Sequence, residues 1–85
     1  MASYRLLIKP SAVKELEGLP QKDRRRVVSK VRGLPSNPRP PGCEKLSGHE
    51  LYRVRQGNYR ILYTIQDVDW IVVVIRIGHR RDVYR

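Results

Sequence analysis

The sequence predicts an α+β domain of order βααβββ, with two N-terminal helices packed on one face of a small, mostly antiparallel sheet and the other face left available. Three observations lead there. Residues 51–84 read as three consecutive strands and a basic tail, because β-branched and aromatic residues dominate and turn residues interrupt them twice. Residues 11–34 carry apolar side chains at helical spacing, broken once by Gly18 and Pro20. The chain has 85 residues, enough for a single domain over residues 1–85 that buries about 60–65% of its unfolded surface.

Taken in order, residues 4–9 (YRLLIK) are apolar and extended in character, bounded by Pro10, and form the predicted first strand. Ser11 then stands where an N-cap belongs. Ala12, Val13, Leu16 and Leu19 give a short apolar stripe, with Glu15 early enough in the helix to favour its dipole. Pro20 suits the first turn of a second helix. Val27, Val28, Val31 and Leu34 line that helix's buried side, lysines and arginines fill the remainder, and Gly33 marks its end. The run Arg24-Arg25-Arg26 is read as a solvated helix face. Five prolines and glycines between residues 35 and 42 predict a stiff extended connection, without regular structure, over residues 35–48.

In the strand that follows, Tyr52 and Val54 alternate with Arg53 and Arg55, so one face suits a core and the other solvent or a ligand. After the Gln56-Gly57-Asn58 turn, Tyr59, Ile61, Tyr63 and Ile65 share one face of the next strand, and Arg60, Leu62 and Thr64 the other. Tyr59 and Tyr63 therefore read as core. Residues 67–69 make a turn, and residues 70–77 are almost continuously apolar, as in a central strand. Arg76 alone interrupts that run, either as an isolated site cation or as a partner of Asp67 or Asp69.

The net charge is +10, from 18 Lys and Arg against 8 Asp and Glu, which attracts polyanions and points to nucleic acid or an acidic protein as partner. The one cysteine, Cys43, can make no intrachain disulfide, which fits a reducing cytoplasm. The apolar runs at residues 6–8 and 70–75 are too short for a signal peptide or a membrane span of roughly 20 residues, so no membrane association is expected. Cys43, His49 and His79 lack a zinc spacing, and neither metal nor cofactor is expected. His49 reads as structural.

The pleat puts Arg53 and Arg55 on one face. Arg60 follows the turn, and Arg80 and Arg81 lie just past the third of these strands, where a meander can bring the same end of the sheet together, with Tyr84 placed to close the cluster. Several cations and one aromatic ring on a sheet suit holding a phosphate and stacking a base.

With the YR pair at Tyr59-Arg60, the GHRRDVY tail from Gly78 and the NPRPPGCEKLSG connection, the chain resembles the RelE branch of the RelE/ParE toxin superfamily over essentially its whole length. The resemblance implies a toxin of a type II toxin-antitoxin system, encoded with an acidic, RelB-like antitoxin, that enters the ribosomal A site and cleaves mRNA without a metal. The cut leaves a 2′,3′-cyclic phosphate. It also implies roles: Arg53 and Arg55 match two cationic positions where lysines are common, and Arg60 matches the phosphate-binding arginine. Arg80 matches the residue that assists the leaving oxygen, with Arg81 a substitute in register, and Tyr84 matches the stacking tyrosine. His79 occupies a neighbouring basic position. Catalytic residues are thus Arg53, Arg55, Arg60, Arg80 and Tyr84, with His79 and Arg81 added for RNA binding.

One departure matters chemically. Attack by a 2′-hydroxyl requires removal of its proton, and arginine, whose guanidinium stays protonated throughout the physiological range, holds its own. The base is then His79, the ribosome, or no single group, with catalysis by positioning and charge. Two other functions share the fold: a ParE-type toxin that binds DNA gyrase and cuts no RNA, and a nucleic-acid-binding module without activity.

Overall fold

Alternation of apolar and polar residues builds a sheet with one covered face. The computed structural model describes residues 3–46, 48 and 50–79. Strand β1 (Arg5–Ile8) leads into helices α1 (Pro10–Glu17) and α2 (Gln21–Gly33), followed by strands β2 (Glu44–Lys45), β3 (Tyr52–Gln56), β4 (Tyr59–Gln66) and β5 (Ile71–His79). The five strands lie in the order β1-β5-β4-β3-β2; β1 runs parallel to β5 and the other pairs are antiparallel. The α+β class is the one the sequence predicts, and the predicted βααβββ order holds with one addition, the two-residue strand β2 ahead of β3. α1 packs on β5 and α2 reaches β3, both on the same face.

The core between helices and sheet consists of Ala12 of α1, Val27 and Val31 of α2, Leu34, and Val54, Ile61, Tyr63, Val72, Val74 and Ile77 of the sheet. At about 25 cal/mol per Å² of apolar surface removed from water, these residues supply the main driving force for the fold. Tyr63 is fully buried, as expected of a core tyrosine, and its hydroxyl donates to the Pro38 carbonyl at 2.6 Å and lies 3.1 Å from Cys43 Sγ. Burial pushes its pKa far up, so it stays a neutral donor that ties the proline-rich connection to β4.

Four local expectations are corrected. Ser11 is not the N-cap of α1: the helix starts at Pro10, whose fixed φ suits the first helical position, with Lys9 as N-cap and no side-chain cap bond. Residues 35–48 are not wholly irregular. Past Pro41 the backbone regains its N–H donors, Gly42 turns at φ 86°, and Glu44 and Lys45 pair with Arg53 and Tyr52 as β2. Trp70 precedes β5 rather than opening it, with a φ of 59° in the left-handed region and its ring 5.1 Å from that of Tyr4. Arg76 meets neither Asp67 nor Asp69 but Glu15, at 3.2 Å.

That last contact covers an edge. β1 ends at the pair Ile8↔Val74, and among the described residues no strand flanks the rest of β5 on that side. Glu15 of α1 takes its place, accepting the Ile77 amide at 3.0 Å through one oxygen and the Arg76 guanidinium through the other. Unpaired strand edges invite association with other chains, and this one is closed by a helix side chain.

At the other end of the sheet, Asp67 accepts two bonds from Arg39, at 2.9 and 3.2 Å, and one from the Tyr4 hydroxyl at 2.6 Å. Arg39 also donates to the Tyr52 hydroxyl at 3.2 Å and lies over the Tyr52 ring. These bonds lash the proline-rich connection to the β4–β5 turn and to β1. Among the described residues, no helix is long and apolar enough to cross a membrane.

The bonds from Arg39, then Tyr4, hold the Asp67 carboxyl below the usual carboxylate range. A depressed pKa in the folded state means stability that is present above the unfolded-state value of about 3.9 and lost as pH falls through the folded value. Asp67→Asn is therefore expected to unfold at lower denaturant than the parent at neutral pH, with the two curves converging in acid. Urea titrations at a series of pH values check this; a gap that persists in acid would assign the effect to packing.

Candidate functional site

The face of the sheet away from the helices is set by the register of one hairpin. β3 and β4 are joined through Gly57 and Asn58, and Gly57 adopts φ 61°, a conformation that L side chains disfavour. The turn pairs Gln56 with Tyr59, Arg55 with Arg60, Val54 with Ile61 and Arg53 with Leu62. Val54 and Ile61 are in the core, so Arg53, Arg55, Arg60 and Leu62 must point to the open face. β5 continues both rows, with Arg76 opposite Leu62 and Gly78 opposite Arg60. The residue beside Arg60 therefore has no side chain to crowd it.

Arg55 and Arg60 are direct cross-strand neighbours. Like charges so placed repel, and a bound anion relieves the repulsion. Arg53 is mostly covered, with 13% of its side chain exposed, and forms an ion pair with Glu44 on β2. Leu62 is also buried, at 6% exposure, although it lies on the open face. Together Pro41, Gly42, Glu44, Arg53, Val54 and Arg55 line a cleft of about 300 Å³.

His79 is placed elsewhere. It is the cross-strand partner of Tyr59, on the helix-covered face, and the two rings meet nearly edge-on at 5.9 Å. Tyr59 packs against the core and donates to Asp23 of α2 at 3.1 Å. Burial, then that bond, raises its pKa. Thus β5 brings His79 to the Arg60 end of the sheet but on the opposite side. Arg80, Arg81 and Tyr84, as well as His49, lie outside the described residues.

Two residues absent from the sequence-based site emerge. Glu44 is the first, an acid among the arginines; a two-residue strand is too short to leave a periodic signal. Arg39, which orients Tyr52 and the connection, is the second, and nothing in its neighbourhood of prolines marks it. A further concavity of about 370 Å³, lined by Arg24, Arg25, Val28, Ser29 and Arg32, lies on the outer side of α2. It presents the solvated face expected of an amphipathic helix. Among the described residues, no three His, Cys, Asp or Glu side chains gather closely enough to hold a metal ion.

Chemically, three guanidinium groups on a pleated surface can bind an RNA phosphate in several directions at once and stabilise charge that builds on its oxygens. If RNA tracks this face, Arg55→Ala should lower the salt dependence of binding to single-stranded RNA by about 0.7 in the slope of log K against log salt. Arg25→Ala on α2 should change it less. Equal effects in the two variants would move the RNA off the sheet.

Comparison with known proteins gives a consistent set of relatives. The family model described as ParE toxin of type II toxin-antitoxin system, parDE, matches residues 6–84. Toxin RelE of Mycobacterium tuberculosis is 34% identical over 84 residues, covering 96% of this chain and 87% of its own. The toxin-antitoxin complex RelBE2 of M. tuberculosis contains a chain that superposes with a TM-score of 0.83 at 30% identity, covering 96% of this chain and 97% of that one. A chain of the archaeal RelE-RelB complex from Pyrococcus horikoshii follows with a TM-score of 0.82, 30% identity, and coverage of 94% and 98%.

Proposed function

The chain belongs to the RelE/ParE superfamily of type II toxins, as a RelE-type toxin, and we propose that it is a ribosome-dependent endoribonuclease that cleaves mRNA in the A site by 2′-hydroxyl attack. The observation that carries this reading is the gathering of Arg53, Arg55 and Arg60 on the sheet face away from the helices. In the reaction the 2′-oxygen attacks the adjacent phosphorus, a phosphorane with added negative charge forms, and the 5′-oxygen leaves with a proton. The products are a 2′,3′-cyclic phosphate and a 5′-hydroxyl end.

Arg60 holds the scissile phosphate and meets the charge on the phosphorane, helped by Arg55 across the strand pair. Fixed donors aimed at developing charge need no rearrangement in the transition state. Arg53 lies further along the same face and extends the cationic surface. Arg80 assists the departing 5′-oxygen, with Arg81 beside it, and Tyr84 stacks on a base, which is worth roughly 1–3 kcal/mol. His79, on the other face, serves the order of that end of the sheet rather than the substrate. The reading calls for no metal or cofactor, because the nucleophile belongs to the substrate and the guanidinium groups supply the positive charge.

A net charge of +10 also suits quenching by an acidic antitoxin, since complementary potentials steer association. Relatives in solved complexes are paired with RelB-type antitoxins. Ribosome, mRNA and antitoxin are cytoplasmic partners, and the toxin works there. A second reading is favoured by the ParE description of the matched family model: a toxin that acts by binding gyrase. It requires no cluster of phosphate-binding arginines.

Arg60→Ala separates the two. Single-turnover cleavage of ribosome-bound mRNA should fall by about 10²–10³, as on loss of one preorganised donor, while ribosome binding stays within a few-fold. A parental cleavage rate in this variant would remove the ribonuclease reading and favour the gyrase-binding one.

A further inference from the structure

A strand that is otherwise apolar from Ile71 to Ile77 carries one arginine, Arg76. Its direction follows from its neighbours. Ile77 and Ile61 are paired in the core, so the pair Arg76↔Leu62 one step away lies on the face away from the helices, with Arg53, Arg55 and Arg60. Arg60 stands opposite Gly78, two residues beyond Arg76 on β5, which makes Arg60 and Arg76 diagonal neighbours. Such positions lie about 7–8 Å apart, within reach of long side chains, and Gly78 puts no side chain of its own beside them. Arg55 thus flanks Arg60 from β3, and Arg76 flanks it from β5.

We propose that Arg76 is a further substrate-binding residue, holding the mRNA phosphate next to the scissile one, and that Glu15 of α1 positions it. The inference rests on the ribonuclease reading. Glu15 accepts the Ile77 amide at 3.0 Å through Oε1 and meets Nη2 of Arg76 at 3.2 Å through Oε2. One end of the carboxylate is therefore tied to the backbone while the other anchors the guanidinium. A guanidinium carries several N–H donors in a planar fork, so a carboxylate on one side does not prevent an anion on another. The Arg76 side chain is 39% exposed.

Closing the β5 edge does not call for an arginine at this position. Glu15 meets the edge through the Ile77 amide, and an apolar residue at position 76 would match Leu62 opposite it. A guanidinium diagonal to Arg60 instead adds repulsion, which Glu15 offsets on one side and a phosphate would offset on the other. Because the phosphate that Arg76 holds does not react, the contact strengthens ground-state and transition-state binding alike. Its loss should then appear in affinity and not in the maximal rate.

The test is single-turnover cleavage of ribosome-bound mRNA over a range of toxin concentrations. Arg76→Met keeps an unbranched apolar stem and removes the charge. It should raise the concentration giving half the maximal rate by about 10-fold, the lower end for a hydrogen bond between charged groups, with the maximal rate within a few-fold of the parent. Arg76→Lys should recover most of this loss, and Glu15→Gln should show an intermediate one. The phosphate is identified with messages carrying one uncharged methylphosphonate on the 5′ or the 3′ side of the scissile bond, each on a 2′-O-methyl nucleotide and compared with the 2′-O-methyl phosphodiester. One of the two should weaken the parent by a similar factor, and Arg76→Met should lose nothing further on that message. A parental half-maximal concentration for Arg76→Met, a loss confined to the maximal rate, or a loss that adds in full to that of both methylphosphonates overturns the proposal and leaves Arg76 as a partner of Glu15. A parental Glu15→Gln beside a weakened Arg76→Met removes the positioning role of Glu15. If Arg60→Ala loses cleavage while Arg76→Met behaves in any of the overturning ways, only this inference fails. If Arg60→Ala cleaves at the parental rate, the ribonuclease reading beneath it fails.

Discussion

Everything at the site depends on one constraint: a strand has two faces, and the helices claim one of them. Val54, Ile61 and Tyr63 must enter the core under α1 and α2, and the pleat then turns Arg53, Arg55 and Arg60 outward together. A shift of one residue in the β3–β4 register would bury guanidinium groups and expose the core side chains, so the hydrophobic pattern that stabilises the fold also fixes the direction of the arginines. The cationic surface thus needs no separate scaffold. Its cost is the repulsion between neighbours such as Arg55 and Arg60, which a bound anion would offset.

The rest of the molecule holds that hairpin in place from both sides. Glu15 closes the free edge of β5, and Arg39, Asp67, Tyr4 and Tyr52 tie the proline-rich connection to the sheet. The Tyr63 hydroxyl anchors the same connection from within the core. Because the connection ends in β2, these contacts also determine where Glu44 stands relative to Arg53. The proline-rich segment therefore links the stability of the domain to the geometry of its charged face.

Most of this architecture is legible in the sequence, because period-2 alternation in β3 and β4 and the apolar stripe of α2 are long enough to be read without a structure. The core placement of Tyr59 and Tyr63 follows from the same parity, as does the shared face of Arg53 and Arg55. What escapes is set by contacts distant in sequence. Arg76 pairs with Glu15, 61 residues away, and not with the nearby aspartates, of which Asp67 is already held by Arg39 and Tyr4. β2 is too short to produce a pattern, so Glu44 goes unseen although it lies beside Arg53. His79 follows Gly78, the neighbour of Arg60, by one residue, and that single step puts it on the opposite face.

The most direct measurement of the central claim uses the substrate rather than the protein. Ribosomes carrying an mRNA with a single 2′-deoxynucleotide immediately 5′ of the scissile phosphate should bind the toxin as before and remain uncut, while the all-ribose mRNA is cleaved to a 2′,3′-cyclic phosphate end. Cleavage of the deoxy-substituted message at an undiminished rate would contradict an account in which the open arginine face stabilises attack by the substrate's own 2′-hydroxyl.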